Sequence, residues 1–163
     1  MTDKDRLLAA MEAYFGTDAR RIDHARKVTE WAERIMAGEG GDASVIIAAG
    51  VLHDIGIKEA ERKYGSAAGN LQEREGPPVA RELLDGLGFP AAAIDEICDI
   101  IAHHHSPGVL TTTNFNVLYD ADWMVNLRDE YDIRDREKLA NIIDRVFMTG
   151  TGKELARQLY LRD

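Results

Sequence analysis

The chain has 163 residues, a length that suits one compact domain around one hydrophobic core, and its 45% hydrophobic and 30% charged content excludes a disordered or fibrous chain. A net charge of −9, with no dense run of Lys and Arg, argues against duplex nucleic acid and anionic lipid as partners; it still allows a small phosphorylated molecule, because a bound cation reverses the field inside one cleft. No stretch nears the roughly 18 consecutive apolar residues of a membrane span, and Met1-Thr2-Asp3-Lys4-Asp5 is polar and mixed in charge, so a cytoplasmic protein is expected.

Helical periodicity runs through the sequence, and no set of alternating β-branched segments offers a sheet, so an all-α helical bundle is expected. A first helix spans about residues 4–14 and stops at Gly16; Thr17 or Asp18 caps a second, which carries His24 and runs to about Ala37. Gly38, Gly40 and Gly41 break it, and Asp42 caps a third in which Val45, Ile46, Ala49, Leu52 and His53 share one side. After Gly56 come a short segment from Ile57 to Tyr64 and a polar, glycine-bearing stretch through Gly76, placed to lie over a site. Pro77 and Pro78 suit the first turn of a helix ending near Gly88, and Pro90 opens another that reaches His105. Asn114 or a neighbouring threonine starts a helix through about Leu127, Asp135 one through Met148, and Gly150 to Gly152 set off a short last helix. One domain over residues 1–163 is expected; its last helices, about 135–162, pack on the core or against another copy, which leaves a homo-oligomer open.

The sharpest local feature is Leu52-His53-Asp54-Ile55-Gly56, two metal-competent side chains at the end of an apolar helix. His24 shares a helix face with Val28, Trp31 and Ile35, so its imidazole points inward, as a hydrogen-bonded core histidine or as a ligand. Asp122 lies four residues after Leu118 and three before Val125, also on an inward face, where a lone carboxylate needs a cation or several donors. Asp120 is its rival, with an orienting role behind the ligands as the other reading. In the run His103-His104-His105, positions 104 and 105 extend the face of Ile94, Ile97 and Ile101, whereas His103 follows the polar side of Glu96 and Asp99. Cys98, the one cysteine, lies among isoleucines and reads as a small buried hydrophobe.

A distant His, a His-Asp doublet and a later Asp in an Ala-Asp context, in that order over about residues 20–128, make the sequence resemble the HD-domain superfamily. The resemblance implies a divalent metal (Mn, Fe, Ni, Co, Zn or Mg) held by His24, His53, Asp54 and Asp122, and metal-activated water that hydrolyses a small phosphate ester, a nucleotide foremost. Members with two metals carry a similar His-His at a helix end, which makes Glu75, His104 and His105 candidates for a second site. Glu75 stands where the HD-GYP type has histidine, and the Gly-Tyr-Pro signature is absent, so cyclic-di-GMP hydrolysis is not implied. Asp54, His104 and Lys58 are the catalytic candidates, and Lys58 and Arg26 the candidates for a substrate phosphate. The alternatives are a di-iron oxygenase using the Glu75, His104 and His105 layer, and a non-catalytic module that binds a nucleotide or uses the metal structurally.

Overall fold

The computed structural model describes residues 1–162, which form nine helices and no strand. In chain order these are α1 (Asp3–Phe15), α2 (Ala19–Glu39), α3 (Ala43–Leu52), α4 (Ile57–Tyr64), α5 (Gly69–Gly86), α6 (Ala91–His103), α7 (Thr113–Glu130), α8 (Arg136–Val146) and α9 (Gly150–Tyr160). Most starts are written in side-chain oxygens that accept a free N–H of the first turn: Thr2 from Asp5, Asp18 from Arg21, Asp42 from Ser44, Thr112 from Phe115, Asp135 from Lys138 and Thr149 from Gly152.

Helix α3 is apolar nearly all round, with Val45, Ile46 and Ala48 through Leu52 buried, as a helix surrounded by other helices must be. It packs against α1, α2, α6 and α7. The chain therefore delivers His53 and Asp54 to the centre of the molecule at the C-terminal end of this helix. Helices α2 and α7 form the most extensive pair and run antiparallel. The Asp42 N–H at the end of α2 donates to Asn114 Oδ1 at the start of α7, at 2.9 Å. Phe115, Leu118, Ile35, Ile97 and Ile101 are among the fully buried side chains between these layers.

Several element boundaries differ from the sequence reading: α6 stops at His103, short of His105, and α8 at Val146, short of Met148. Helix α5 begins at Gly69, so Pro77 and Pro78 lie inside it and not in its first turn. The two rings remove two helical N–H donors, but the helix continues because its face carrying Glu75, Gly76, Ala80 and Leu84 is buried. Gly150 and Gly152 belong to α9 itself, which Thr149 caps. Gly152 is required there sterically, since a Cβ would collide with the carboxylate of Asp120.

Candidate metal centre

Four side chains from three places in the chain meet at the end of α3. His24 Nε2 lies 3.2 Å from His53 Nε2, 3.1 Å from Asp122 Oδ1 and 3.3 Å from Asp54 Oδ2. His53 Nε2 lies 3.3 Å from Asp122 Oδ1 and 3.4 Å from Asp54 Oδ2. His53 is fully buried and Asp122 nearly so. The other oxygen of Asp54 faces away from this group and lies 3.3 Å from His104 Nε2. Asp54, His104 and His105 form a second set of converging donor atoms, so Asp54 stands between two sets.

Hydrogen bonding fixes what these imidazoles offer. His53 Nδ1 donates to the Gly50 carbonyl at 2.8 Å, and His104 Nδ1 donates to the Ile101 carbonyl at 2.6 Å. A neutral imidazole bonded in this way presents a bare lone pair at Nε2. For His53 that lone pair meets two carboxylates and the Nε2 of His24; for His104 it is buried with no hydrogen-bond partner. Lone pairs crowded at these distances repel unless protons or a cation lie among them. Without a cation, protons must serve: burial pushes the His53 pKa down, but the charges of Asp54 and Asp122 outweigh it and hold the imidazole protonated well above its usual range. Burial likewise pushes both carboxyls up, and the imidazoles, His53 first, hold them well below the ordinary value. Two nitrogens and two carboxylate oxygens suit a divalent transition metal, and the donors present fit one. The carbonyls that orient the rings are backbone atoms of the last turns of α3 and α6, whose C-terminal ends also favour a cation.

The other sequence candidates separate clearly. Asp120 accepts the N–H of Met148 at 2.9 Å and both the N–H and the hydroxyl of Thr149 at 2.8 and 2.7 Å, so it fastens the start of α9 and does not join the group of His24, His53 and Asp122. Glu75 binds Lys63 at 2.5 Å and lines a separate surface depression with Tyr14, Glu59 and Glu82; its place beside His104 and His105 is taken by Asp54. The difference follows from α5 being helical before Pro77, which turns residue 75 toward α4. Lys58 Nζ donates to the Tyr14 carbonyl at 3.0 Å and sits over the Tyr14 ring, while Arg26 pairs with Glu12. Neither lines the cleft that opens onto His24 and Asp54. Arg81 pairs with Asp95. His103 bonds the Asp99 carbonyl on the polar side, as its phase required. Cys98 is a buried free thiol whose pKa burial raises.

That cleft has a volume of about 400 Å³. Arg20, Arg21 and Lys27 line it from α2, Val125, Asn126, Asp129 and Glu130 from α7, and Ala67, Gln72 and His105 close one side. The sequence reading missed the two polar walls. The signal lay in helical spacing: Arg20, Arg21 and Lys27 stand at offsets of minus four, minus three and plus three from His24, and Asn126, Asp129 and Glu130 at four, seven and eight from Asp122.

The family model for the HD domain matches residues 21–149. The chain belongs to the HD domain family. Its fold also superposes on the crystal structure of a predicted HD superfamily hydrolase from an uncultured Thermotogales bacterium. The TM-score is 0.71 at 25% identity, over 96% of this chain and 84% of that one. No curated protein matches the sequence. The HD match reaches past the ligand set into α8 and includes Met148 and Thr149, the residues held by Asp120. No helix among the described residues is long and apolar enough to cross a membrane.

Proposed function

We propose that this HD protein is a metal-dependent phosphohydrolase acting on a small phosphate ester, with the metal held by His24, His53, Asp54 and Asp122. The observation that carries the reading is the buried, oriented lone pair of His53 set against two carboxylates, a site built for a cation and costly without one. Similarity to a chain described as an HD superfamily hydrolase supports hydrolysis as the reaction class.

A bound divalent cation would supply Lewis acidity and make a water molecule easier to deprotonate. In the overall step the water oxygen bonds to phosphorus, the ester P–O bond breaks, and the alcohol leaves with a proton. Asp54 holds ligands on both sides through its two oxygens, which ties the second donor set of His104 and His105 to the first. Arg21 takes the phosphate-binding role expected of Lys58 and Arg26. Its guanidinium is fixed by Asp18 at 2.9 Å and Glu61 at 2.8 Å, and Asp54 is close enough to act on its charge. His104, with Nδ1 committed and Nε2 aimed at Asp54, acts as a ligand, and His105 lines the cleft beside it as the third member of that set. The His105 Nε2 is bonded to Gln72 Oε1 at 2.9 Å, and because the Gln72 amide nitrogen donates to the Ala67 carbonyl, Nε2 carries the hydrogen and Nδ1 is the atom left to offer a lone pair. A nucleotide is the substrate class the resemblance implies.

The test is phosphate release from phenyl phosphate and nucleoside monophosphates by chelator-treated protein with Mn, Ni or Co restored. Restoration is expected to revive turnover in the parent and to leave Asp54→Ala at least a hundredfold slower, with Lys58→Ala within threefold of the parent. Turnover indifferent to chelation, or a larger loss in Lys58→Ala than in Arg21→Ala, overturns the assignment. Oxygen consumption by iron-loaded protein without phosphate release would move the reading to an oxygenase.

A further inference from the structure

Resting on the phosphohydrolase reading, we propose that the cleft selects a sugar or polyol monophosphate, and that a nucleotide binds through its ribose phosphate with the base left outside.

The two walls of the cleft differ in sign. On the α2 side, Arg21 is pinned by Asp18 and Glu61, and Arg20 has no hydrogen bond or ion pair. On the α7 side, Asn126, Asp129 and Glu130 likewise have none, although all three line the cleft. Helical rise places Asn126 about 6 Å and Asp129 and Glu130 about 10–12 Å along the axis from Asp122. The cleft thus pairs one anion-binding end, next to the ligand set, with a row of unused hydrogen-bond acceptors leading away from it.

An ester filling this space carries its phosphate at the cationic end and hydrogen-bond donors further along its chain. Hydroxyl groups meet that requirement: each donates to a carboxylate or amide oxygen, and a carboxylate accepts from two neighbouring hydroxyls together. A second phosphate or a carboxylate at the far end would lie against Asp129 and Glu130, where Lys27 is already paired with Asp23 at 2.8 Å, and be repelled. A nucleobase gains most from stacking on aromatic faces. Among the described residues, the cleft lining includes no Phe, Tyr or Trp, and its apolar members are Ile57, Ala67 and Val125. Trp31 and Tyr160 line a neighbouring depression that shares Lys27, Val125 and Asp129 with the cleft, and neither ring is part of the cleft lining itself. The lining therefore rewards a hydroxylated chain and gives a base nothing to lie on.

The measurement compares kcat/KM of the metal-loaded protein for ribose 5-phosphate, a hexose 6-phosphate, AMP, a sugar bisphosphate and phenyl phosphate, in the parent and in the Asn126→Ala and Glu130→Gln variants. Ribose 5-phosphate is expected to match or exceed AMP and to exceed the bisphosphate at least tenfold. In both variants, kcat/KM for the sugar phosphates falls at least fivefold more than for phenyl phosphate, chiefly through KM. AMP exceeding ribose 5-phosphate tenfold, or variants that slow sugar and phenyl esters equally, overturns the substrate class and leaves the phosphohydrolase reading standing. No release from any ester, phenyl phosphate included, fails both, and a misfolded variant is replaced by Asp129→Asn, for which the same selectivity loss is required.

Discussion

Asp120 and Asp122 stand two residues apart on one helix and are both buried, yet they do different work. Asp122 meets the Nε2 atoms of His24 and His53, whereas Asp120 spends its oxygens on Met148 and Thr149. Replacing Asp120 with Ala strands buried donors that cost about 1–3 kcal/mol each, so Asp120→Ala is expected to lose about 2–4 kcal/mol in urea unfolding while keeping the metal content of the parent. Asp122→Ala should do the reverse, losing metal with a smaller change in the metal-free protein. Equal metal loss in both would remove the distinction. At this scale the convergence of His24, His53 and Asp122 was legible because each stands on an inward helical phase, and Asp54 came with its doublet at the end of an apolar helix. Glu75, Lys58 and Arg26 were not, because the partners that take them, Lys63, the Tyr14 carbonyl and Glu12, come from other helices.

Helix ends were readable where a side chain makes them. Asp42 and Asp135 are start signals that the local sequence states outright; for α2 it offers Thr17 or Asp18 and for α7 Asn114 or a neighbouring threonine, and the chain uses Asp18 and Thr112. Helix α5 has no such signal: its first turn follows Ala68 without a side-chain cap, and the Pro pair reads as a later start. What makes residues 69–76 helical is tertiary. The backbone of Gly56 rests against α5, where a Cβ would come within 2.5 Å of Gly76 N and 2.6 Å of the Gln72 carbonyl oxygen. Gly56 has ordinary right-handed helical angles, so an alanine is allowed by the backbone and excluded by space alone. Gly56→Ala should therefore destabilise by about 1–3 kcal/mol through overcrowding. It should also weaken metal binding, because the same collision pushes on the doublet two residues earlier. A variant as stable and as metal-competent as the parent would show that α5 and the doublet are not coupled.

At the scale of the whole molecule, the HD fold closes one ring of contacts: α3 supplies the doublet, α2 and α7 cross it to add His24 and Asp122, and α6 brings His104 from the opposite side. The fold class and this convergence followed from periodicity and ligand order, but the walls of the cleft needed the pairing of α2 with α7, which no local pattern specifies. The convergence also sets a pH dependence. In the metal-free protein the protonated His53 is stabilised between Asp54 and Asp122, so its favourable contribution is complete below the ordinary imidazole range and is lost as pH rises through its raised value. A metal must displace that proton, and its affinity should therefore rise with pH over the same window while Asp54 and Asp122 stay ionised throughout. The decisive measurement is calorimetric titration of chelator-treated protein with Mn²⁺ at several pH values and in buffers of different ionisation enthalpy. The HD centre described here predicts one or two ions bound per chain, proton release on binding, and affinity that increases with pH; absence of binding at every pH, or binding undiminished in His53→Ala, would contradict it.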